Sequence, residues 1–198
     1  FLPVSSTGHL IILSEWLKMD KGFANVFDVA IQLGAILAVV FLFPIYFKEL
    51  ITPKNLFSKQ NKTIFVAIGP ILCLGFLFRD AIKAYLFSSN VVFIALIIGG
   101  VGLILVDFLY KDKTNQLDTK EDVTLKQGFI IGLFQCLALW PGMSRSGCTI
   151  IGGLISGLNV TTAAAFSFII AVPVMFIAVL YDLLMSVNGL SLDQIGWI

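Results

Sequence analysis

The sequence predicts an all-α integral membrane protein built as an inverted-topology repeat, with re-entrant helix hairpins meeting near the membrane midplane. Three observations carry that prediction. Hydrophobic residues make up 58% of the 198-residue chain and charged residues only 13%, with a mean hydropathy of +0.98. The stretch WPGMSRSGCT, Trp140–Thr149, lies between the apolar runs FIIGLFQCLALW and CTIIGGLISGL. Each run is well short of the roughly 20 residues that a helix needs to cross a bilayer. Finally, a shift of 139 positions lays Ser5 on Ser144, Gly8 on Gly147, Ile31 on Ile170 and Val40 on Val179 without a gap.

The chain opens with FLPVSSTGHLIILSEWL, a polar turn that leads into a short apolar helix. His9 is the only histidine. Following Ser5, Ser6, Thr7 and Gly8, it can be a functional base or simply a satisfied residue at a helix end. Glu15, Lys18, Asp20 and Lys21 then mark a loop at headgroup level. The first long span is read as Phe27–Phe47, with Asp28 and Gln32 near its start and Pro44 near its end. A basic loop follows, and a shorter span, Ile64–Phe78, carries Gly69 and Pro70. Arg79, Asp80 and Lys83 mark its far end. Val91–Tyr110 is the clearest span, and Gly99, Gly100 and Gly102 permit close helix contact there. After the charged 111–126 loop comes the re-entrant hairpin. A last span runs from about Ala163 to Val187 and is read as broken at Pro173.

These elements form one membrane domain, 1–198. Repeat copy one covers about 1–47 and copy two about 127–187, with linking spans at about 64–78 and 91–110. Three full spans separate the starts of the two long helices, and a hairpin that leaves on its own side changes nothing. The copies therefore enter from opposite faces, as in folds that build a midplane site from broken helices. The 48–62 and 111–126 loops carry eight Lys/Arg against four on the other side, Lys18, Lys21, Arg79 and Lys83. The basic side is therefore read as cytoplasmic.

An arginine near the bilayer centre costs on the order of 2.5–3.5 kcal/mol, so Arg145 calls for a compensating anion. Its planar five-donor fork, among hydroxyls and helix-start amides, suits a phosphate. The competing reading is an arginine that caps a helix end or snorkels to the interface. If the two turns meet, Ser6 is a candidate nucleophile and His9 its general base, or His9 itself attacks to form a phosphohistidine. The residues leave that choice open. Cys73, Cys136 and Cys148 have no CxxC spacing and imply neither a disulfide framework nor a metal site. The net charge of +1 argues against a nucleic-acid partner.

PVSSTGH at Pro3–His9, AIQLGAILAVV at Ala30–Val40, QCLALWPGMSRSGCTI at Gln135–Ile150 and FSFIIAVP at Phe166–Pro173 resemble the bacterial undecaprenyl-pyrophosphate phosphatase family. These are membrane enzymes associated with bacitracin resistance. The resemblance implies hydrolysis of undecaprenyl pyrophosphate to undecaprenyl phosphate and phosphate, which recycles the lipid carrier of cell-wall synthesis. It also implies Mg²⁺ or another divalent cation and a multi-pass location in the bacterial inner membrane with an outward-facing site. Carried over by position, Ser6, His9 and Arg145 are catalytic, and Ser5, Thr7, Ser144, Ser146 and Thr149 surround the phosphate. The acids expected to hold a metal lie, in the family, just before FLPVSS. No metal ligand is therefore assigned within this chain, and residues 1–198 by themselves are expected to be inactive. Ala165 stands where relatives often carry an acid. A transporter or flippase of a phosphorylated lipid is the alternative, because inverted repeats with broken helices are also transporter architecture. It would need anion binding but no nucleophile. A structural membrane subunit would leave Arg145 unexplained.

Overall fold

The computed structural model describes residues 3–18, 21–52, 58–86, 88–114 and 122–189. Lys54 and Lys120, which count toward the sidedness of the loops, lie outside the described residues. Helices account for all the regular structure described: α1 Ser6–Trp16, α2 Lys21–Leu42, α3 Pro44–Ile51, α4 Lys59–Leu77, α5 Arg79–Leu86, α6 Ser89–Thr114, α7 Leu125–Gln135, α8 Arg145–Ile155 and α9 Val160–Gly189. A short 3-10 turn, Cys136–Leu139, follows α7.

Three of these are long and apolar enough to cross a membrane: α4, α6 over Ser89–Tyr110, and α9 over Val160–Tyr181. α2 is 22 residues long and apolar over its described part Ile31–Leu42, so its length of about 33 Å also suffices. The outer face of α6 exposes Ile97, Ile104, Leu105 and Phe108 at 55–80%. An unbroken apolar surface of that kind belongs against acyl chains rather than water. This is a helical membrane protein.

Helix starts differ from the sequence reading, with α2 opening at Lys21, read as loop, rather than at Phe27 and α4 at Lys59 rather than at Ile64, and proline is the reason for two further differences. The first long helix stops at Leu42, and Pro44 opens a separate helix, α3. Proline has no N–H to give and its fixed φ suits a first helical position. Pro173 was expected to break the last span, yet α9 continues through it. Val172, Val174 and Met175 around it are buried, and packing of this kind holds a helix together past the lost hydrogen bond. The sequence also gave no sign that Arg79–Leu86 forms a helix of its own.

The core has two centres. One joins α4, α7 and α9 through Ile64, Ala67, Ile68, Ile131, Phe166 and Ile170, and the other joins α2 to α9 through Ile36, Val39, Val172 and Met175. α7 lies close against α4 at Gly132, where an added Cβ would sit 2.5 Å from the Ala67 carbonyl oxygen. Backbone cannot yield as a flexible side chain can. Gly132→Ala is expected to destabilise the fold by about 1–3 kcal/mol, seen as a lower melting temperature in detergent. Gly69→Ala, where nothing lies within 4 Å, is the control expected to melt near the parent.

The ends of the helices group in space. α7 and α8 are antiparallel, and Gln127 Nε2 near the start of α7 donates to the Ser156 carbonyl at the end of α8 (3.4 Å). Close by, Gln60 at the start of α4 donates to Asp122 (3.4 Å) and the Thr63 hydroxyl is within 3.3 Å of the Val123 carbonyl. Elsewhere Ser89, opening α6, donates to the Glu15 carboxylate near the end of α1. Arg79, just past α4, stacks on Tyr181 of α9.

Candidate functional site

The site begins with the break between α7 and α8. After the 3-10 turn, Trp140 is extended and its indole N–H donates to the Val91 carbonyl in the first turn of α6 (3.2 Å). Gly142 has φ +105°, in the left-handed region that favours glycine, and a Cβ there would lie 2.6 Å from the Val92 carbonyl oxygen. The Pro-Gly turn is thus pressed against α6. It delivers the chain to Ser144, whose hydroxyl caps α8 by accepting from the Gly147 N–H (3.1 Å). Arg145 is the first residue of α8 and is half-buried.

The same construction recurs 139 positions earlier. Ser5 caps α1 by accepting from the Gly8 N–H (3.2 Å), and α1 and α8 are each 11 residues long. Gly8 lies against the Pro-Gly turn, so that an added Cβ would be 3.0 Å from the Gly142 Cα. The two helix starts therefore meet.

Where they meet lies a cavity of about 930 Å³, large enough for a sizeable ligand. Ser5, Ser6 and Thr7 line it from α1, and Ser144, Arg145 and Ser146 from α8. The Ser144 and Ser146 hydroxyls are 3.2 Å apart. A capping hydroxyl accepts from the backbone with a lone pair and keeps its own proton to donate, so Ser5 and Ser144 remain potential donors to an anion. The rest of the wall is largely apolar, with Ile71, Leu72, Phe76, Leu139, Val174 and Met175 among its residues.

Two residues named from the sequence stand apart from this lining. His9 is exposed, and its Nδ1 lies 2.7 Å from the Ser5 carbonyl. A carbonyl only accepts, so Nδ1 carries the proton and Nε2 is the basic nitrogen of the neutral ring. Thr149 is 1% exposed. Its hydroxyl lies within reach of the carbonyls of Arg145 (2.9 Å) and Ser146 (3.1 Å) and of the Ser167 hydroxyl (2.6 Å). Thr149 therefore braces the start of α8 against α9, behind the cavity, and it is Ser167 that reaches the lining.

Three lining residues had been missed or given no role. Ser167 and Gln32 carried no local signal beyond being polar residues in apolar spans. Arg79 was read as the marker of a span's end. In the structure it lines the cavity with its guanidinium carbon 4.8 Å from the Tyr181 ring centre, and Phe76 meets the same ring edge-on at 5.9 Å. The cavity thus holds two arginines, Arg79 and Arg145.

Among the described residues the lining contains no carboxylate, and no three His, Cys, Asp or Glu side chains group to hold a metal ion. Hard cations such as Mg²⁺ favour carboxylate oxygens, so the described lining by itself does not fit one.

The fold and this cavity define a polytopic helical membrane protein whose internal site joins a cationic, hydroxyl-rich end to an apolar wall. The chain matches the family described as "Bacitracin resistance protein BacA" over residues 1–197, and it belongs to that family. It is 47% identical over 208 residues to the undecaprenyl-diphosphatase of Bacillus velezensis, a match covering 98% of this chain and 75% of that protein. It is 45% identical to the undecaprenyl-diphosphatase of Wolinella succinogenes, covering 99% of this chain and 74% of the relative. Against that of Bacillus subtilis the identity is 45%, covering 98% and 74%.

Proposed function

We propose that this protein is an undecaprenyl-diphosphatase. It hydrolyses undecaprenyl pyrophosphate to undecaprenyl phosphate and inorganic phosphate and so returns the lipid carrier of cell-wall synthesis to use. Family membership and the names of the relatives support this. The single structural observation that carries it is the convergence of Ser5–Thr7 with Ser144–Ser146 and Arg145 in a cavity whose other wall is apolar. A pyrophosphate with a prenyl tail needs both halves of such a site.

In this reading the Arg145 fork takes the terminal phosphoryl oxygens, helped by the hydroxyls of Thr7, Ser144 and Ser146 and by the first amides of α1 and α8. These groups stabilise charge that develops on the phosphoryl oxygens. Ser6 Oγ attacks the terminal phosphorus, and the bond to the bridging oxygen breaks to release undecaprenyl phosphate. Water then cleaves the serine phosphate. Ser6 lines the cavity and His9 does not, which favours serine over a phosphohistidine. His9 remains the candidate proton acceptor through Nε2, linked to Ser6 by water. The dependence on Mg²⁺ or another divalent cation that the resemblance implies is kept as a separate proposal.

The fold is read as an inverted repeat with re-entrant hairpins. Equal helix lengths and caps at one offset support it, as does a lining that draws on matched positions, Ser5 with Ser144, Ser6 with Arg145, and Gln32 with Ala171. The meeting of Gln127 with Ser156 supports a hairpin that leaves on the side where it entered. The contacts of Glu15 with Ser89 and of Arg79 with Tyr181 agree with one membrane side, and those of Gln60 and Thr63 with Asp122 and Val123 agree with the other. With the basic loops cytoplasmic, the protein is assigned to the bacterial inner membrane and its site to the outward face.

The test is phosphate release from undecaprenyl pyrophosphate by the purified protein in detergent, with Mg²⁺ and with chelator. Release abolished by chelator supports both proposals. Chelator-resistant release removes the metal, and translocation of the lipid across a bilayer without any release favours a lipid carrier.

A further inference from the structure

Arg79 lies outside the set of residues that the two serine turns bring together, yet it lines their cavity. It directly follows Phe78, at the end of the apolar span α4. Its stacking partner Tyr181 closes the apolar window of α9. Two spans thus reach one membrane boundary where an arginine and a tyrosine touch, the level at which such residues meet lipid headgroups. Arg145, by contrast, lies between Met143 and Gly147, which face Gly99 and Leu103 of α6, more than two turns in from the start of that helix at Ser89. The cavity therefore spans from headgroup level to a buried cationic end, with a guanidinium at each level.

We infer that Arg79, held over the Tyr181 ring, is a headgroup-capture residue. It binds the anionic phosphate of an incoming prenyl lipid at the cavity mouth before that phosphate reaches Arg145. A cation–π contact holds the guanidinium without using its N–H donors, and their planar fork matches phosphate oxygens. The ring also limits the rotamers of a long side chain, so less freedom is lost when the anion binds. Phe76, edge-on to the same ring, braces Tyr181 from the α4 side. The residue acts on access and affinity, not on the reacting bond. This inference rests on the phosphorylated-lipid reading of the site.

The experiment compares Arg79→Gln, Arg79→Lys, Tyr181→Phe and Tyr181→Ala in the full chain. Phosphate release is measured against substrate concentration, and binding of farnesyl monophosphate is measured in the same detergent. Arg79→Gln is expected to raise KM about tenfold, the loss of one charge-assisted contact, and to weaken farnesyl phosphate binding similarly. kcat at saturation is expected to stay within about twofold. High ionic strength should narrow the gap from the parent protein. Tyr181→Ala should raise KM, and Tyr181→Phe, which keeps the ring, should raise it less. Should Arg79→Gln fail to fold, Arg79→Lys carries the test, with a smaller rise in KM. Unchanged KM and binding in the Arg79 variants would overturn the inference, and so would a fall in kcat at unchanged KM. If the parent protein binds farnesyl phosphate but releases no phosphate, the enzymatic proposal fails. The capture role is then still judged by whether Arg79→Gln loses that binding.

Discussion

Arg145→Lys is expected to lower phosphate release on the order of 10²-fold or more, although the positive charge is kept. Arg145 stands at the first position of α8, beside the hydroxyls of Ser144 and Ser146, and lines the cavity. A guanidinium can hold two phosphoryl oxygens with parallel N–H donors in one plane, whereas an ammonium is a point charge without that fork. Losing one well-aimed donor to a developing negative charge costs about 10²–10³-fold in turnover. Steady-state kinetics at saturating substrate, with a melting temperature to confirm the fold, checks the expectation. Near-parental turnover in the lysine variant would falsify the direct phosphate clamp and leave Arg145 as a helix-end residue.

Ser6→Ala is expected to abolish turnover while substrate still binds. Ser6 is exposed and lines the cavity without a role in the cap, which belongs to Ser5. Removal of the attacking oxygen should cost kcat at least about 10²-fold, with little change in the affinity for farnesyl phosphate. His9→Ala tests the other half of the unit. If His9 acts only through Ser6, the double variant should be hardly worse than the more damaged single, because residues that work as one unit are not additive. Multiplying losses would separate the two roles. His9 would then matter through its bond to the Ser5 carbonyl, as a positioning residue of the α1 turn.

What local chemistry alone can specify was legible before any coordinates. A short apolar run ending in Trp-Pro-Gly and restarting at Ser-Arg-Ser announces a broken helix, because Pro and Gly each act within a few residues. The constant offset of 139 positions matched Ser5 with Ser144, and both cap their helices in the same manner. Side-chain direction was less legible. His9 and Thr149 stand three and four positions after Ser6 and Arg145, spacings that share a helix face, yet His9 Nδ1 is held at the Ser5 carbonyl and the Thr149 hydroxyl at Ser167. A shared helix face does not decide which side chain reaches a cavity, because a short polar side chain can turn to a nearby backbone or side-chain partner instead.

The sequence by itself determined the membrane class, the two serine turns and an arginine among apolar runs at Arg145, because hydropathy and breakers are properties of a residue and its neighbours. Tertiary structure alone decided which of two prolines starts a helix, since Pro44 opens α3 while buried neighbours carry α9 past Pro173. It also decided that the cavity has a second arginine. Arg79 lies 102 positions from Tyr181 in the chain, and no local pattern records that α4 and α9 end side by side. That juxtaposition is set by the packing of α4 and α9 through Ile64, Ile68, Phe166 and Ile170, and packing of apolar faces is non-directional until the whole set of helices assembles.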